Sequence, residues 1–374
     1  MKILVLIHEF PPVGGGGGPI ARDLSHEWVV AGHQVRVVTA HYGDLAKKDI
    51  IDGVEVIRLP SNRKEMFRAG IPAMMGYIFA ALRYCLFSMK DFQPDLLHVH
   101  FAVPAGPVGM IVGWLLRRPY VLTAHLGDIP GASPEKTGTW FKFVFPFTPP
   151  IWKNAARVVA VSEYSKSMAL KSYAVPIDVI YNGIDYQKIH APAVHPHSVT
   201  QIVFAGRFVP QKNLQQIVAT CSRLRDLSWH CTLIGDGQDK NTLLGLIAEA
   251  GLEDRFSLPG WKTPEEVIAI FQDSDILFLP SRSEGLPVVG IQAMACGLAL
   301  VLGDAGGNPE ILTPLKNGFL EDPDDTDAFE RDLRTLLTDP EKLLAYRSYS
   351  LEAAKAFDIH ETAKQYEALF SKVV

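Results

Sequence analysis

The chain has 374 residues, 48% of them hydrophobic, enough for two domains with sizeable cores. Its formal net charge is −5, which excludes a general nucleic-acid-binding surface. Cys85, Cys221, Cys231 and Cys296 show neither Cys-x-x-Cys pairing nor zinc spacing, so reduced core thiols of a cytoplasmic protein are expected, with no metal site.

Lys2-Ile-Leu-Val-Leu-Ile7 reads as a buried strand, too short for a signal-peptide core. Five glycines follow, Gly14 to Gly18, then a helix from Ile20 to Ala31 and a strand from Gln34 to Thr39. Strand, glycine loop, helix, strand is a βαβ unit. No Gly-Lys-Ser/Thr follows, so the loop is not a P-loop, and a run of five glycines matches the dinucleotide fingerprint trivially. A flexible linker is one reading. The position at the end of the first strand favours close approach of backbone to a ligand.

Residues 41–60 read as a loop and a short strand pair, with Gly53 to Leu59 its clear member. The mostly basic segment Asn62 to Arg68 then precedes a long apolar run, Ile71 to Met89. Arg83 and Pro72 argue against a transmembrane span. The preferred reading is a buried helix of the first domain. The other is an interfacial helix with basic flanks, in peripheral contact with an anionic membrane. Phe141-Lys-Phe-Val-Phe-Pro-Phe147 adds a second aromatic cluster to that reading.

Pro94 to His100 reads as a strand whose His98 and His100 share one face. No third ligand follows at a telling spacing, so a metal pair is not supported. Pro119 to Asp128 repeats the design, with His125 at a strand C-terminus, where such sheets bind ligands. Ala156 to Ser162 is a third such strand, and Glu163-Tyr-Ser a helix start. The first domain, residues 1–190, closes near the Asn182-Gly183 turn, and Ala191 to Ser198 reads as the linker to a second domain over 198–356.

In the second domain Gln201 to Ala205 is a strand, and the loop after it carries Gly206, Arg207 and Lys212. Two cations five apart at a strand C-terminus form a phosphate clamp, Arg as a bidentate fork and Lys as a mobile point charge. Solvated surface charge is the alternative. Trp229 to Ile234 is the next strand, followed by Gly235-Asp236-Gly237, then Phe256 to Gly260 with Trp261 after it and a helix from Pro264 to Asp273. Asp275 to Pro280 is a buried strand, Ser281 to Gly285 a turn, Pro287 a first helical turn, and Leu298 to Leu302 the following strand. Glu284 is a carboxylate at an anion-friendly helix end, either satisfying the dipole or gripping hydroxyls beside a phosphate. Gln292 lies eight residues on, roughly 12 Å along a helix, within reach of the far end of one extended ligand. The acidic run Asp322 to Asp327 suits a helix start, and Glu341 to Ala356 and His360 to Lys372 read as helices.

The stretch 280–310 resembles the glutamate-x7-glutamate signature of retaining glycosyltransferases of family 4, which have the α/β GT-B fold: two Rossmann-like, doubly wound domains facing across a cleft. The second glutamate is here Gln292, a neutral amide that still hydrogen-bonds ribose hydroxyls. Gly206-Arg207-x4-Lys212-Asn213 resembles the family's donor-diphosphate motif. The glycine pair of the family matches Gly15-Gly16, and Asp-Leu-Leu-His-x-His100 and Asn182-Gly183-Ile-Asp185 are familiar too.

The resemblance implies donor contacts from Gly15, Gly16, Gly206, Arg207, Lys212, Asp236, Trp261, Glu284, Gly285, Leu286, Val288 and Gln292. It implies catalytic roles for His125, Glu284, Arg207 and Lys212, and a last helix, about 357–374, that packs back on the first domain. The implied reaction moves a sugar, with retention, from a UDP- or GDP-linked donor to a glycan or lipid-linked acceptor. No cofactor and no nucleic acid is involved. The implied setting is cell-envelope or polysaccharide synthesis, at the inner face of the cytoplasmic membrane. The rivals are a GT-B sugar-nucleotide epimerase, a phosphorylase of the same fold, and a catalytically weak nucleotide-sugar-binding protein, the last motivated by Gln292.

Overall fold

The computed structural model describes residues 1–66, 69–132, 143–191, 193–195 and 197–374. Arg68 of the basic segment, Phe141 and Lys142 of the aromatic cluster, and Pro192 and Pro196 of the linker lie outside them. The chain divides into two compact units, Met1–Gly183 with Ile359–Val374, and Ile184–Asp358.

The first unit is built on an eight-stranded sheet: β1 (Lys2–Leu6), β2 (Gln34–Ala40), β3 (Lys48–Ile51), β4 (Val54–Leu59), β5 (Leu96–His100), β6 (Tyr120–Ala124), β7 (Arg157–Ala160) and β8 (Asp178–Val179). Its order is β3-β4-β2-β1-β5-β6-β7-β8. Only the β3–β4 pair is antiparallel. Both faces are covered, which is why these strands read as near-continuous apolar runs. Ile3, Val5 and His98 point to one face, where the Trp28 ring meets His98 and Phe370. That face carries α1 (Gly17–Val30) and the last helix, Ile359–Phe370. Leu4, Leu6, Leu97 and Val99 point the other way, into a core closed by α2 (Ile71–Arg83), α3 (Ala105–Leu116) and α4 (Pro149–Asn154).

Two expectations are corrected here. α1 starts at Gly17, inside the glycine run, and not at Ile20. The apolar run 71–89 is not a buried helix: α2 ends at Arg83 in a π-helical turn, Tyr84–Ser88, and buries one stripe only. Side chains two positions apart on such a helix point about 200° from one another, so one sheet covers one set and leaves the other.

The second unit holds a six-stranded, all-parallel sheet of order β11-β10-β9-β12-β13-β14. Its strands are β9 (Thr200–Ala205), β10 (Trp229–Ile234), β11 (Phe256–Gly260), β12 (Ile276–Leu279), β13 (Ala299–Gly303) and β14 (Gly318–Glu321). A buried ion pair between Asp275 and Arg347 ties strand starts to the helix Pro340–Ala354. Asp275 also accepts the Gln201 amide at 2.8 Å, and Arg347 donates to the Gly297 carbonyl at 2.8 Å. Both charges thus have the further hydrogen bonds a buried pair requires.

Each sheet reverses its strand order once, between β1 and β5 in the first unit and between β9 and β12 in the second. The strand C-termini at such a reversal diverge their loops and leave a crevice.

Candidate functional site

In the second unit the loops after β9 and β12 flank the reversal and are tied together. The Gln211 side chain donates to the Ser283 carbonyl at 2.5 Å, and the Arg282 amide donates to the Gln211 carbonyl at 2.9 Å. This brings Lys212 and Glu284, far apart in sequence, into a 2.5 Å ion pair, both largely buried. Lys212 carries three donors, so one bond to Glu284 leaves two for a phosphate. Gly206 lies beside the Lys212 stem. Arg207 is exposed, and its guanidinium makes no hydrogen bond or ion pair among the described residues. The loop therefore presents one unspent cation next to a half-neutralised one.

Glycine spacing sets the height of Glu284. The Gly307 amide donates to the Glu284 carbonyl at 3.0 Å. A Cβ on Gly306, whose φ is +64°, would sit 1.9 Å from that carbonyl oxygen; one on Gly307 would sit 2.0 Å from the Gly285 oxygen. Only glycine lets the loop after β13 lie this close. Pro287 is not in the first helical turn as expected but at the cap position, with ψ of 88°, and the helix begins at Val288. Leu286 is buried, while Val288 and Gln292 are half-buried; the Gln292 amide has no side-chain hydrogen bond among the described residues.

Asp236 and Trp261 follow β10 and β11, further from the reversal. Asp236 accepts the Gly237 amide at 2.7 Å and pairs with Lys240 at 2.9 Å, so its oxygens are engaged away from the Lys212–Glu284 pair. Trp261 is exposed.

The first unit assembles a different cluster at its own reversal. His125, after β6, shares a hydrogen bond with His100, Nε2 to Nδ1 at 3.3 Å, and stacks on Phe101 at 4.2 Å between ring centroids. His98 bonds Thr123 at 2.8 Å, which bonds Tyr366 at 3.0 Å. Burial, with His125 adding to it, holds His98 down to about 3 and His100 well below the ordinary imidazole value, so both are neutral near pH 7. Asp128 fixes the backbone here, accepting the His125 amide at 2.9 Å and the Val103 amide at 3.2 Å. Burial outweighs those bonds and pushes its carboxyl up to about 7.

The glycine loop is anchored by residues the sequence reading passed over. Glu9 accepts the Gly15 amide at 2.9 Å and pairs with Arg63 at 3.3 Å. Burial pushes Glu9 up, but His8, the Gly15 amide and Arg63 together leave its carboxyl below the ordinary range. Gly16 has open space around its Cα, whereas Gly17 packs on Phe101 and His125, where a Cβ would lie 2.7 Å and 3.4 Å away. The close approach thus falls one residue past the Gly15-Gly16 pair. A signal was present for Phe101, next to His100 at a strand end. For the Glu9–Arg63 clamp there was none, since it closes over 54 residues.

Residues 14–188 match a family model described as Glycosyltransferase Family 4, and residues 185–352 one described as Glycosyl transferases group 1. An uncharacterized glycosyltransferase of Methanocaldococcus jannaschii is 28% identical over 266 residues, 70% of this chain and 71% of its own. A GDP-mannose:cellobiosyl-diphosphopolyprenol alpha-mannosyltransferase of Komagataeibacter xylinus is 24% identical, covering 100% of this chain and 94% of its own. The sucrose-phosphate synthase of Thermosynechococcus elongatus superposes with a TM-score of 0.85 at 20% identity, over 99% of this chain and 98% of that one. At that identity the likeness carries the fold, two Rossmann-like α/β domains of GT-B type.

Proposed function

Since this chain belongs to the glycosyltransferases, its first half matching family 4 and its second half group 1, we propose that it transfers a sugar with retention from a UDP- or GDP-linked donor to a glycan or lipid-linked acceptor in envelope or surface-polysaccharide assembly. The observation that carries the reading is the Lys212–Glu284 pair at the strand reversal of the second unit, with Arg207 unspent beside it. As the C1–O bond to phosphate breaks, negative charge grows on the diphosphate. Arg207 and the free donors of Lys212 meet it where it develops. A new C1–O bond forms to the acceptor hydroxyl, whose proton passes to the departing phosphate oxygen. Glu284, with one oxygen held by Lys212, keeps the other for sugar hydroxyls and is not the nucleophile. Gln292 serves the ribose as a neutral amide, and His125 is the sugar-facing residue of the first unit. The relative acting on a diphosphopolyprenol supports a lipid-linked acceptor and, with it, work at the inner face of the cytoplasmic membrane.

The test is a thermal-shift screen of UDP-, GDP- and ADP-sugars, followed by diphosphate release with the best hit and NMR of the product's anomeric proton. Release that depends on an acceptor, with the donor's configuration kept, is expected. An inverted product overturns retention. Binding with no turnover across an acceptor panel overturns the enzyme and leaves the weak-binding reading that Gln292 raises. The reaction is proposed to need no cofactor, and activity abolished by EDTA overturns that part.

A further inference from the structure

The helical layer over one face of the first unit is apolar on both its sides. α2 and its π-turn bury Ala73, Tyr77, Ala81 and Cys85, and present Ile71, Met75, Phe79, Arg83 and Phe87 to solvent. Each series advances by four residues, so each is a continuous stripe along the helix. Phe79 and Phe87 are 66% and 70% exposed. The neighbouring α3 ends in Trp114, which is 78% exposed, then Leu115 and Leu116, before Arg117 and Arg118 at its exposed stop. Isolated apolar side chains on a surface need no explanation. Two packed helices that both turn aromatic rings outward do.

Among the described residues, the exposed charge here that is left without an ion-pair partner is positive. Arg83, Lys90, Arg117, Arg118, Lys153 and Arg157 are exposed. Among the described residues from 71 to 157 the acids are Asp91, Asp95 and Asp128. Asp91 is paired with Arg36, Asp95 accepts the Lys2 amide, and Asp128 is buried. A second copy of the chain would bring the same cations against themselves. A bilayer with anionic headgroups offers the opposite charge and an apolar layer beneath it.

We propose that the outer face of α2 and the C-terminal end of α3 form a docking surface for an anionic lipid bilayer. Phe79, Phe87 and Trp114 enter the boundary between headgroups and acyl chains, and Arg83, Arg117 and Arg118 reach lipid phosphates, their stems lying along the apolar surface. α2 and α3 run antiparallel to the strands they connect, so their N-termini lie at the sheet edge that carries the glycine loop and His125, and the C-terminal ends that carry Phe87, Trp114, Arg117 and Arg118 lie at the opposite edge. The surface stands on its own chemistry; its use, keeping the chain on a membrane that holds a lipid-linked acceptor, rests on the proposed function.

The experiment is flotation of the full chain with vesicles of phosphatidylcholine alone and of phosphatidylcholine with phosphatidylglycerol, at low and high salt. Three proteins are compared: the wild type, Phe79→Ser/Phe87→Ser/Trp114→Ser, and Arg117→Glu/Arg118→Glu. The wild type is expected to float with the anionic vesicles at low salt. Both variants should lose at least ten-fold in bound fraction, with circular dichroism and thermal midpoint unchanged. A single exposed variant, Phe87→Ser, should fall between and covers the case in which the triple variant fails to fold. A wild type that stays at the bottom with anionic vesicles overturns the proposal, as do folded variants that float as well as it does. So does a wild-type dimer in sedimentation equilibrium that Phe87→Ser converts to monomer, since the face is then covered by a second copy. Diphosphate release from a nucleotide sugar separates this from the transfer reading. A chain that floats but never releases diphosphate keeps the surface and loses the enzyme; one that transfers without floating does the reverse.

Discussion

Both units place their candidate residues at the same topological point, where strand order reverses, yet they fill it with opposite chemistry. The second unit sets an ion pair and a free guanidinium there, with glycines pressed under the carboxylate. The first sets buried imidazoles, His98 and His100 held neutral and His125 stacked on a phenyl ring, near a carboxylate whose proton affinity burial has raised. A site rich in unspent positive charge suits a diphosphate. A site backed by the neutral rings of His98 and His100 suits uncharged sugar hydroxyls better than a diphosphate. One backbone geometry therefore serves two ligand chemistries through the side chains at its strand ends.

The sharpest way to break this contrast is to remove the cation. Lys212→Ala should lower kcat/KM for diphosphate release by about 10²–10³-fold, the usual cost of one donor to transition-state charge. The corresponding change in the first unit, His100→Ala, should act on a neutral contact and cost less. Equal losses in both would end the distinction.

Acid should separate the units next. Burial holds His8 down to about 4 and His98 to about 3, with His100 well below its ordinary value. In the unfolded chain each takes a proton near pH 6.5. Their contribution is whole above that pH and is lost as pH falls towards the folded values. Asp128, pushed up to about 7, runs the other way: its contribution is full below about 4 and is lost as pH rises through 7. Three groups against one predict that the first unit loses about 1–3 kcal/mol between pH 6.5 and 5. The described histidines of the second unit, His190, His195, His197 and His230, are not buried. Amide exchange followed by mass spectrometry, corrected for intrinsic rates, should show β1, β5 and β6 opening first in acid. Opening of both units together would contradict the prediction.

Gly306→Ala tests whether backbone proximity sets Glu284. The new Cβ meets the Glu284 carbonyl oxygen at 1.9 Å with φ at +64°, so the loop must shift. A loss of about 1–3 kcal/mol in stability is expected, together with weaker donor binding. Unchanged donor affinity in calorimetry would detach the glycine pair from the site.

The smallest effect is expected from Gln292→Glu. A charge-assisted bond to a hydroxyl is about 1 kcal/mol better than a neutral one, so nucleotide-sugar affinity should rise about 5-fold by calorimetry. A fall would mean that the amide was donating to the ligand.

Much of the fold could be read along the chain because strand, loop and helix are written in local period. Unbroken apolar runs such as Ile276–Leu279 and the punctuation of glycine and proline gave the parallel strands and their order in sequence. The candidate site was legible as residue types at strand ends: His125, Arg207, Lys212 and Glu284 all stand there. What the chain alone could not show was which of them meet. Lys212 and Glu284 are 72 residues apart, and only the pairing of β9 beside β12 sets their loops together. The glycine that touches the histidine is Gly17 and not Gly15 or Gly16, because a run of identical residues has no internal register until Phe101 packs against it.

Length and period, then, determined on their own that this chain has room for two domains and makes buried strands with polar clusters at their ends, since burial on both faces demands those patterns; that the sheets are doubly wound came from the resemblance of its motifs to a family. Only the tertiary structure decided which side of the apolar stretch 71–88 is covered. Both stripes of that helix are largely hydrophobic, with Arg83 the one charge to mark the outer stripe, and the choice between two faces so nearly alike is made only when one of them is laid against a sheet.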